Sequence, residues 1–412
     1  MREHFQIGKP FLARYGLWCF RVGLVGFLLW ALAPPSPRAV LETSARTVEA
    51  VHEHVCVHTR LIDEPVEWVI QRSLQLVREM GASTIVEFFP WAYIENQRGQ
   101  YDWQQTDRIL RHAENQGIEI IARMGFVPAW ARPEDSTLNY LPDDSYDEFA
   151  DFVATFAERY AGRIDHIIIW NEPNLAFEWG FRAPNPMDYV RLLEAVYAPV
   201  HEANPSVTIH AGALAPTLEP EGSPNGLMDT LYLEAMYAGG AGDYFDALAI
   251  HTYGFTYPAD APPQEDVLNF RRAELLLDIM AENGDADKPV YITETGWNDH
   301  PRWVQAVRPS QRSQYTVDAF TLADNDWEQV EAMCVWVFRY PLPTLSYPDN
   351  YTLVTTDFQI RPIYHALQAY ARGESNEGSL WLPAPVFLPC PHWFGYCLST
   401  LRAYCSFANS WQ

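Results

Sequence analysis

Two glutamates follow apolar segments at positions where they could carry out acid–base chemistry. Glu172 comes near the end of RIDHIIIWNEPN (Arg163–Asn174), and Glu294 lies within PVYITETGW (Pro289–Trp297). A strand that is apolar on both faces belongs in the middle of a parallel sheet, where a carboxylate is costly unless it projects from the strand end into a cleft. Two carboxyl groups that meet in such a cleft could cleave a glycosidic bond. One would protonate the leaving oxygen, and the other would attack the anomeric carbon or activate water.

The chain around these glutamates alternates between strand-like and helical patterns from about residue 50 onward. Eight segments are predicted to be strands: His54–Thr59, Ser83–Trp91, Ile118–Gly125, His166–Trp170, Val207–Gly212, Asp246–Gly254, Pro289–Trp297 and Ala332–Tyr340. One helical segment has an apolar face at three- and four-residue spacing, made of Tyr146, Phe149, Val153, Phe156 and Tyr160.

This alternation determines the predicted fold class. Strands that alternate with helices pair in parallel, and eight such units fit an α/β protein with a single closed (β/α)8 TIM barrel over residues 46–372. An open doubly wound sheet is the competing fold, but no glycine-rich phosphate loop follows the first strand. We therefore expect the barrel.

Chemistry in such a barrel takes place at the carboxyl ends of the strands, so the side chains there are candidates for a binding site. Besides the two glutamates, the candidates for substrate contact are His58, Trp91, Trp130, Asn171, His251, Tyr253, Trp297, Trp336 and Arg339. Aromatic rings can stack on the apolar faces of sugars, whose rims carry hydroxyl groups.

One other pattern could suggest a metal site. His52, His54, Cys56 and His58 alternate along the first strand. A barrel strand needs this alternation anyway, and such residues lie too far apart along a strand to converge on one ion. The acidic turn Asn283–Lys288 lacks the spacing of a calcium-binding loop. The sequence therefore predicts no metal ion and no cofactor.

Three motifs together resemble clan A glycoside hydrolases, which are retaining enzymes on TIM barrels. These motifs are WNEPN at the fourth predicted strand, IHTY at the sixth and ITETGW at the seventh. The stretch GQYDWQQTDRILRHAENQGIEIIARMGFVPAWARP is similar to sequences of family 39 and of the cellulase-type family 5. The resemblance covers roughly Val51–Arg372, the whole predicted barrel, and the combination of N-E-P with T-E-x-G at the right strands is a strong signal.

The resemblance implies a role for each matching residue. Glu172 would be the acid/base and Glu294 the nucleophile, and Asn171 would hydrogen-bond the sugar hydroxyl next to the anomeric carbon. His251 and Tyr253 would position the nucleophile. The ring of Trp336 would form the floor under the sugar.

One position departs from the family pattern. Clan A members usually carry an arginine near the end of the second strand, beside the nucleophile, whereas this chain has Val86 and Glu87 there. Either another cation such as Arg123 holds Glu294, or the second strand is wrongly assigned. A loss of activity would also be consistent with the departure.

The composition excludes some classes of partner. The net charge is −25 and 48% of the residues are hydrophobic, so the chain is an acidic globular protein and no nucleic acid is expected as a partner. Among its six cysteines, Cys56 and Cys334 lie in apolar strand-like segments and are predicted to be buried free thiols. Three cysteines near the C-terminus, Cys390, Cys397 and Cys405, could hold a disulfide bond in an exported protein.

The two ends of the chain differ from the barrel. Residues 1–45 combine a basic head with the short apolar run Val22–Ala33, which indicates a signal peptide or a membrane anchor at residues 14–33. We therefore expect an extracytoplasmic protein, either secreted or anchored, and a monomer. Residues 373–412 form a tail rich in proline, cysteine and aromatic residues, with no assigned role.

The expected function is a retaining glycoside hydrolase that acts on oligo- or polysaccharides. Two alternatives stay open: a barrel that binds carbohydrate but has lost catalysis, and a transglycosylase. The long segments after the fifth and sixth strands, LAPTLEPEGSPNGLMDT and FTYPADAPPQED, would decide between endo and exo cleavage. Arg123, Arg302 or Arg339 could bind a uronic acid carboxylate, although neutral sugars are the safer expectation.

Overall fold

The computed structural model describes residue 18 and residues 20–24 and 46–374. The chain divides into two units, Met1–Ala45 and Arg46–Gln412. In the first unit, residues 20–24 are helical. The rest of the predicted signal or anchor segment lies outside the described residues, as does the tail beyond residue 374. Among the residues that are described, no helix combines the length and apolar character needed to cross a bilayer.

The eight predicted strands are present and pair in sequence order, all in parallel, into a closed barrel. Their bounds are β1 Val55–His58, β2 Thr84–Pro90, β3 Glu119–Gly125, β4 His166–Ile169, β5 Thr208–Leu214, β6 Ala247–Tyr253, β7 Val290–Gly296 and β8 Val330–Val335. The α/β barrel predicted from the sequence is thereby confirmed.

Helices cover the outside of the barrel between the strands. Their bounds are α1 Glu67–Met80, α2 Trp91–Ile94, α3 Gln104–Gln116, α4 Tyr146–Arg159, α5 Pro186–Ala203, α6 Asp229–Ala238, α7 Ala273–Glu282, α8 Pro309–Asp326 and α9 Pro362–Ala371. Helices α1 and α3 end at Gly81 and Gly117, and both glycines adopt the left-handed conformation that a helix C-terminus favours.

The strands are apolar on both faces because each face packs against a different core. In β4, Ile168 points into the barrel and belongs to the same inner core as Ile121 of β3 and Val86 of β2. Ile167 and Ile169 face the opposite way and join the large core under the helices. The predicted apolar face of α4 packs into this outer core and is fully buried.

The prediction of two buried free thiols is wrong. Cys56 of β1 and Cys334 of β8 form a disulfide bond. The two cysteines are 278 positions apart in the sequence, but β1 pairs with β8 and places them directly opposite each other, both facing the barrel interior. The bond therefore joins the first strand to the last and closes the barrel covalently.

Removing this bond is expected to destabilise the barrel. Replacing both Cys56 and Cys334 by alanine should lower the free energy of unfolding by roughly 3–5 kcal/mol, because the unfolded chain regains the freedom that the cross-link removes. Urea unfolding followed by circular dichroism measures the change. Wild-type protein unfolded in the presence of a reductant should show a similar loss. Equal midpoints for the oxidised wild type and the double variant would contradict the bond.

Candidate active site

Glu172 reaches the carboxyl end of the barrel because the chain turns sharply after β4. Trp170 and Glu172 have φ angles of 76° and 45°, in the left-handed region that non-glycine residues rarely adopt. The backbone N–H of Glu172 donates to the carbonyl oxygen of Ala213 in β5 at 3.1 Å, which fixes this turn. Strained backbone of this kind persists only when its surroundings hold it, and it occurs most often at functional sites.

The carboxylate of Glu294, in β7, is surrounded by donors from other strands. The hydroxyl of Tyr253 donates to its Oε2 at 2.7 Å, and the guanidinium of Arg123 donates to its Oε1 at 3.3 Å. Ring nitrogens of His58 and His251 each lie 3.7 Å from one of its oxygens. These contacts come from β1, β3 and β6, so the barrel itself fixes the orientation of the carboxylate.

The pKa values of the two histidines are shifted in opposite directions. Burial, and next the charge of Arg123, lower the pKa of His58 well below its ordinary value, so His58 is a neutral imidazole at pH 7. Burial also lowers the pKa of His251, but the charges of Glu294 and Glu172 outweigh it, and the pKa of His251 is raised above its ordinary value. His251 can therefore share a proton with the Glu172 carboxyl, whose Oε1 lies 2.8 Å from its Nδ1.

Arg123 supplies the cation that the second strand lacks. β2 lies where the sequence predicts it, but its Glu87 is fully buried and points away from Glu294. The Glu87 carboxylate accepts hydrogen bonds from Thr59 and from the backbone N–H groups of Leu61 and Ile62, so it anchors the loop after β1. Of the two explanations that the sequence leaves open, the structure supports a cation from β3.

A cleft of about 600 Å³ opens above these groups. Six of the predicted site residues line it: His58, Asn171, Glu172, Tyr253, Glu294 and Trp336. His251 lies next to them and contacts the site through its hydrogen bond to Glu172. The side-chain oxygen of Asn171 accepts a hydrogen bond from Arg123 at 2.5 Å, so the amide N–H groups of Asn171 point away from Arg123.

Sequence reasoning missed most of the aromatic lining of the cleft. One cluster is formed by Phe88, Phe126 and Tyr93, with ring centroids 4.8 Å apart for the first pair and 6.5 Å apart for Phe126 and Tyr93. A second cluster surrounds Trp336 and contains Trp303, Tyr347 and Tyr351. The rings of both clusters come largely from loops, where no sequence periodicity marks a residue that faces a cleft.

Two predicted substrate contacts belong to the outer core. The side chain of Trp91 is 0% exposed and packs against Phe149 and Phe152 of α4, and its indole N–H donates to Glu95. Trp130 packs edge-on against Trp91 and donates to the carbonyl oxygen of Glu95. Neither ring lines the cleft, and the complete burial of Trp91 contradicts the prediction of sugar contact for that residue.

The predictions of substrate contact for Trp297 and Arg339 are also wrong, because both side chains are buried and neither lines the cleft. Trp297 is 1% exposed and donates to the carbonyl oxygen of Tyr257. Its ring occupies the space beside Gly254, where a Cβ would lie only 1.8 Å from the indole. Arg339 is buried in an ion pair with Glu64, and its guanidinium also donates to the carbonyl oxygen of Thr356 at 2.7 Å. A buried, paired guanidinium is not available to bind a sugar carboxylate.

The cleft contains a third glutamate that the sequence did not indicate. Glu178 follows Glu172 by six positions in the loop after β4 and lines the same cleft. Burial, and next the charge of Glu172, raise the pKa of Glu178 to about 7. No motif marks this residue, because its partners are distant in sequence and only the folded loop brings them together.

One trio could also be considered as a metal site. A carboxylate oxygen of Glu172, a ring nitrogen of His251 and a carboxylate oxygen of Glu294 lie within 4.8 Å of one another. The His251 nitrogen and the Glu172 oxygen are only 2.8 Å apart, whereas two ligands of a tetrahedral zinc ion are separated by about 3.3 Å. The spacing therefore fits a shared proton better than a shared ion.

Comparison with known proteins confirms the fold. The family model of glycoside hydrolase family 42, described as beta-galactosidase, matches residues 63–135. No curated protein sequence gives a significant match. A family 39 glycoside hydrolase from the gut symbiont Bacteroides cellulosilyticus WH2 is similar in structure, with a TM-score of 0.64 and 21% identity over 80% of this chain. The chain covers 64% of that protein, less than two thirds of its length.

Two further solved structures are similar along the barrel. A monomeric beta-xylosidase from Caulobacter crescentus CB15 has a TM-score of 0.59 and 18% identity, covering 78% of this chain and 69% of that one. A GH5_18 protein from Streptomyces cattleya in complex with GlcNAc has a TM-score of 0.58 and 17% identity, covering 81% and 82%. The predicted resemblance to clan A glycoside hydrolases is thus confirmed at the level of the TIM-barrel fold.

Proposed function

We propose that the protein is a retaining glycoside hydrolase that cleaves O-glycosidic bonds of oligo- or polysaccharides by double displacement. The observation that carries the proposal is the short distance between the two carboxyl groups in the cleft. One oxygen of Glu172 and one of Glu294 lie within 4.8 Å of each other. Retaining glycosidases hold their carboxyl groups about 5–5.5 Å apart, whereas inverting enzymes need about 6.5–9.5 Å to admit a water molecule.

In the first step, Glu294 would attack the anomeric carbon while Glu172 gives its proton to the leaving oxygen. The bond to the leaving group breaks as the bond to Glu294 forms, and Glu172 is left as a carboxylate. The hydroxyl of Tyr253, 2.7 Å from Glu294, and the guanidinium of Arg123 hold the attacking carboxylate in position. Positioning of this kind lowers the entropic part of the barrier.

In the second step, Glu172 would take a proton from water, which attacks the anomeric carbon and releases Glu294. His251, 2.8 Å from Glu172, is placed to share the proton while Glu172 changes from acid to base. Two inversions at the same carbon restore the original anomeric configuration. Asn171 lies beside Glu172 in the cleft, where its amide could donate to the hydroxyl next to the anomeric carbon.

A screen of aryl glycosides and polysaccharides tests this proposal, with the Glu172→Gln variant as the blank. Proton NMR of the first product formed gives its anomeric configuration. We expect retention, because the two carboxylates are close together. A product of inverted configuration would exclude double displacement, and release of no sugar from any substrate would exclude hydrolysis.

The charges in the cleft favour a neutral substrate over a uronic acid. Asp63, Glu172, Glu178 and Glu294 line the cleft, and the two arginines that line it are already paired. Arg60 binds Asp63 at 2.6 Å, and Arg123 binds Glu294 at 3.3 Å. A carboxylate on the sugar would find no free arginine among the described residues that line this cleft, and burial of an unpaired charge is costly.

We therefore expect a strong preference between two substrates that differ at one carbon. The kcat/KM for a 4-nitrophenyl glucuronide should be at least about a hundredfold lower than for the glucoside with the same anomeric configuration. Steady-state release of nitrophenol measures both values. Equal rates, or a faster glucuronide, would show that a cleft arginine is free to bind the carboxylate.

The sequence also allows a second hypothesis, a barrel that binds carbohydrate but has lost catalysis. The argument for it was that β2 lacks the usual arginine. Because Arg123 contacts Glu294 from β3, that argument no longer favours a loss of catalysis. A direct comparison of turnover with sugar affinity still separates the two readings. An inactive chain that binds oligosaccharide would support the non-catalytic barrel.

We also propose that the protein is extracytoplasmic. The basic head and apolar run of residues 1–45 support export, and so does the disulfide bond between Cys56 and Cys334, since such bonds persist mainly in oxidising compartments. Fractionation of cells that express the full chain, with N-terminal sequencing of the product, tests the location and shows whether the leader is cleaved.

A further inference from the structure

Glu178 has no role in the proposed mechanism. Among the described residues that line the cleft, it is also the one carboxyl group without an ion-pair partner. Its loop is fixed, because the indole N–H of Trp170 donates to the carbonyl oxygen of Glu178 at 2.9 Å. The side chain is partly buried and lines the cleft that contains Glu172 and Glu294. A bound substrate would therefore lie within its reach.

Two side-chain amides are hydrogen-bond partners of Glu178. The side-chain amide of Asn139 donates to Oε2 of Glu178 at 3.2 Å. The side chain of Asn171 is a second hydrogen-bond partner, and since Arg123 donates to the Asn171 oxygen, it is the Asn171 amide N–H that faces Glu178. These two donors leave acceptor sites free on the carboxyl group, and in its protonated form the group also has an O–H that it can donate to a ligand.

The charged surroundings favour this protonated form. Glu172, in the same loop, and Glu294, in β7, both repel a negative charge on Glu178. The guanidinium of Arg123, from β3, opposes this effect, but it is shared with Glu294 and Asn171. Burial, which has the largest effect, and this repulsion together outweigh the attraction and raise the pKa of Glu178 to about 7.

We propose that Glu178 is a substrate-binding residue whose carboxyl group is protonated when substrate binds and donates a hydrogen bond to a substrate oxygen beside Asn171. The inference rests on the proposed function, since it assigns a further contact within the same site. It implies a ligand with an acceptor oxygen at that point, such as a sugar hydroxyl or ring oxygen. It also implies that affinity falls when the proton is lost.

The Glu178→Gln variant separates this role from a structural one. A glutamine amide donates a hydrogen bond at every pH, so it imitates the protonated carboxyl group and cannot lose the proton. In the wild type, KM for the best 4-nitrophenyl glycoside of the screen should rise about tenfold between pH 6 and pH 8.5, as one hydrogen bond is lost. In Glu178→Gln, KM should stay constant within about twofold over this range.

Two further variants complete the comparison. Glu178→Ala has no donor, so its KM should already be about tenfold higher at pH 6 and should change little with pH. Glu134→Gln removes an equal charge from an exposed position in the loop after β3, and it should reproduce the wild-type pH dependence. An equal rise of KM with pH in the wild type and in Glu178→Gln would overturn the proposal.

A second readout needs no turnover. Protein labelled with ¹³C at the glutamate carboxyl carbons is titrated by NMR, and the Glu178 signal is the one missing from Glu178→Gln. We expect its midpoint near pH 7, whereas a midpoint below about 5 would overturn the proposal, because the group would then be ionised at neutral pH. If the wild type hydrolyses no glycoside, the proposed function fails, while this titration still tests the proton on Glu178.

Discussion

Replacing Glu294 by glutamine is expected to lower kcat by at least about a thousandfold, because the amide cannot form the covalent bond to the anomeric carbon. The change keeps the size of the side chain. It leaves the hydroxyl of Tyr253, now 2.7 Å from an oxygen of Glu294, with a polar partner. The barrel should therefore retain its stability, so that the loss of rate reflects chemistry.

Nitrophenol release measures this loss, and thermal unfolding verifies that the variant is folded. A matched control is Glu331→Gln, since Glu331 is an exposed strand glutamate at the amino end of β8, opposite the cleft. The control should hydrolyse substrate at the wild-type rate. Turnover by Glu294→Gln within about tenfold of the wild type would remove Glu294 from the role of nucleophile.

The same assignment has a covalent consequence. A 2-deoxy-2-fluoro glycoside with a good leaving group slows the hydrolysis of the intermediate, since fluorine destabilises the positive charge that develops at the anomeric carbon. Mass spectrometry of the digested protein should then find the sugar on the peptide that contains Glu294. A label on Glu172 would show that Glu172, and not Glu294, is the nucleophile. A label on neither glutamate would exclude the covalent intermediate.

The barrel could be predicted from the sequence because its pattern is local. Each strand is a short apolar run, and each helix has an apolar face and often ends at a glycine, as at Gly81 and Gly117. Glu172 and Glu294 could be found because motifs at two strand ends meet once the strands are arranged in a ring. Both kinds of inference need only the order of the elements.

Other features depend on contacts that the order of elements does not give. Trp91 and Trp297 stand near strand ends and suggested sugar contact, but their rings turn outward into the core, which only packing decides. The pairing of Cys56 with Cys334 follows from the closure of the barrel, yet nothing in the sequence distinguishes it from two buried thiols. The environment of Glu178 likewise depends on how the loop after β4 folds, since its charged neighbours Arg123 and Glu294 come from β3 and β7.

Replacing Glu172 by alanine is expected to reduce the rate in a way that depends on the leaving group. A methyl or sugar leaving group needs a proton, so its first step should slow by at least about a thousandfold, whereas 2,4-dinitrophenolate leaves without a proton and its first step should change little. The second step also loses its base, so the intermediate on Glu294 should accumulate. The result would be a low apparent KM with the dinitrophenyl substrate.

Azide should restore turnover of that substrate in the alanine variant. Azide is already an anion and needs no base, and removal of the carboxyl group both opens space and removes a repelling charge beside the anomeric carbon. The product should be a glycosyl azide of retained configuration. Glu172→Gln is the matched comparison, because its amide fills the same space next to His251 and should admit azide poorly. Because rescue requires both the intermediate on Glu294 and the cavity at position 172, absence of the glycosyl azide would contradict the assignment of Glu172 as the acid/base.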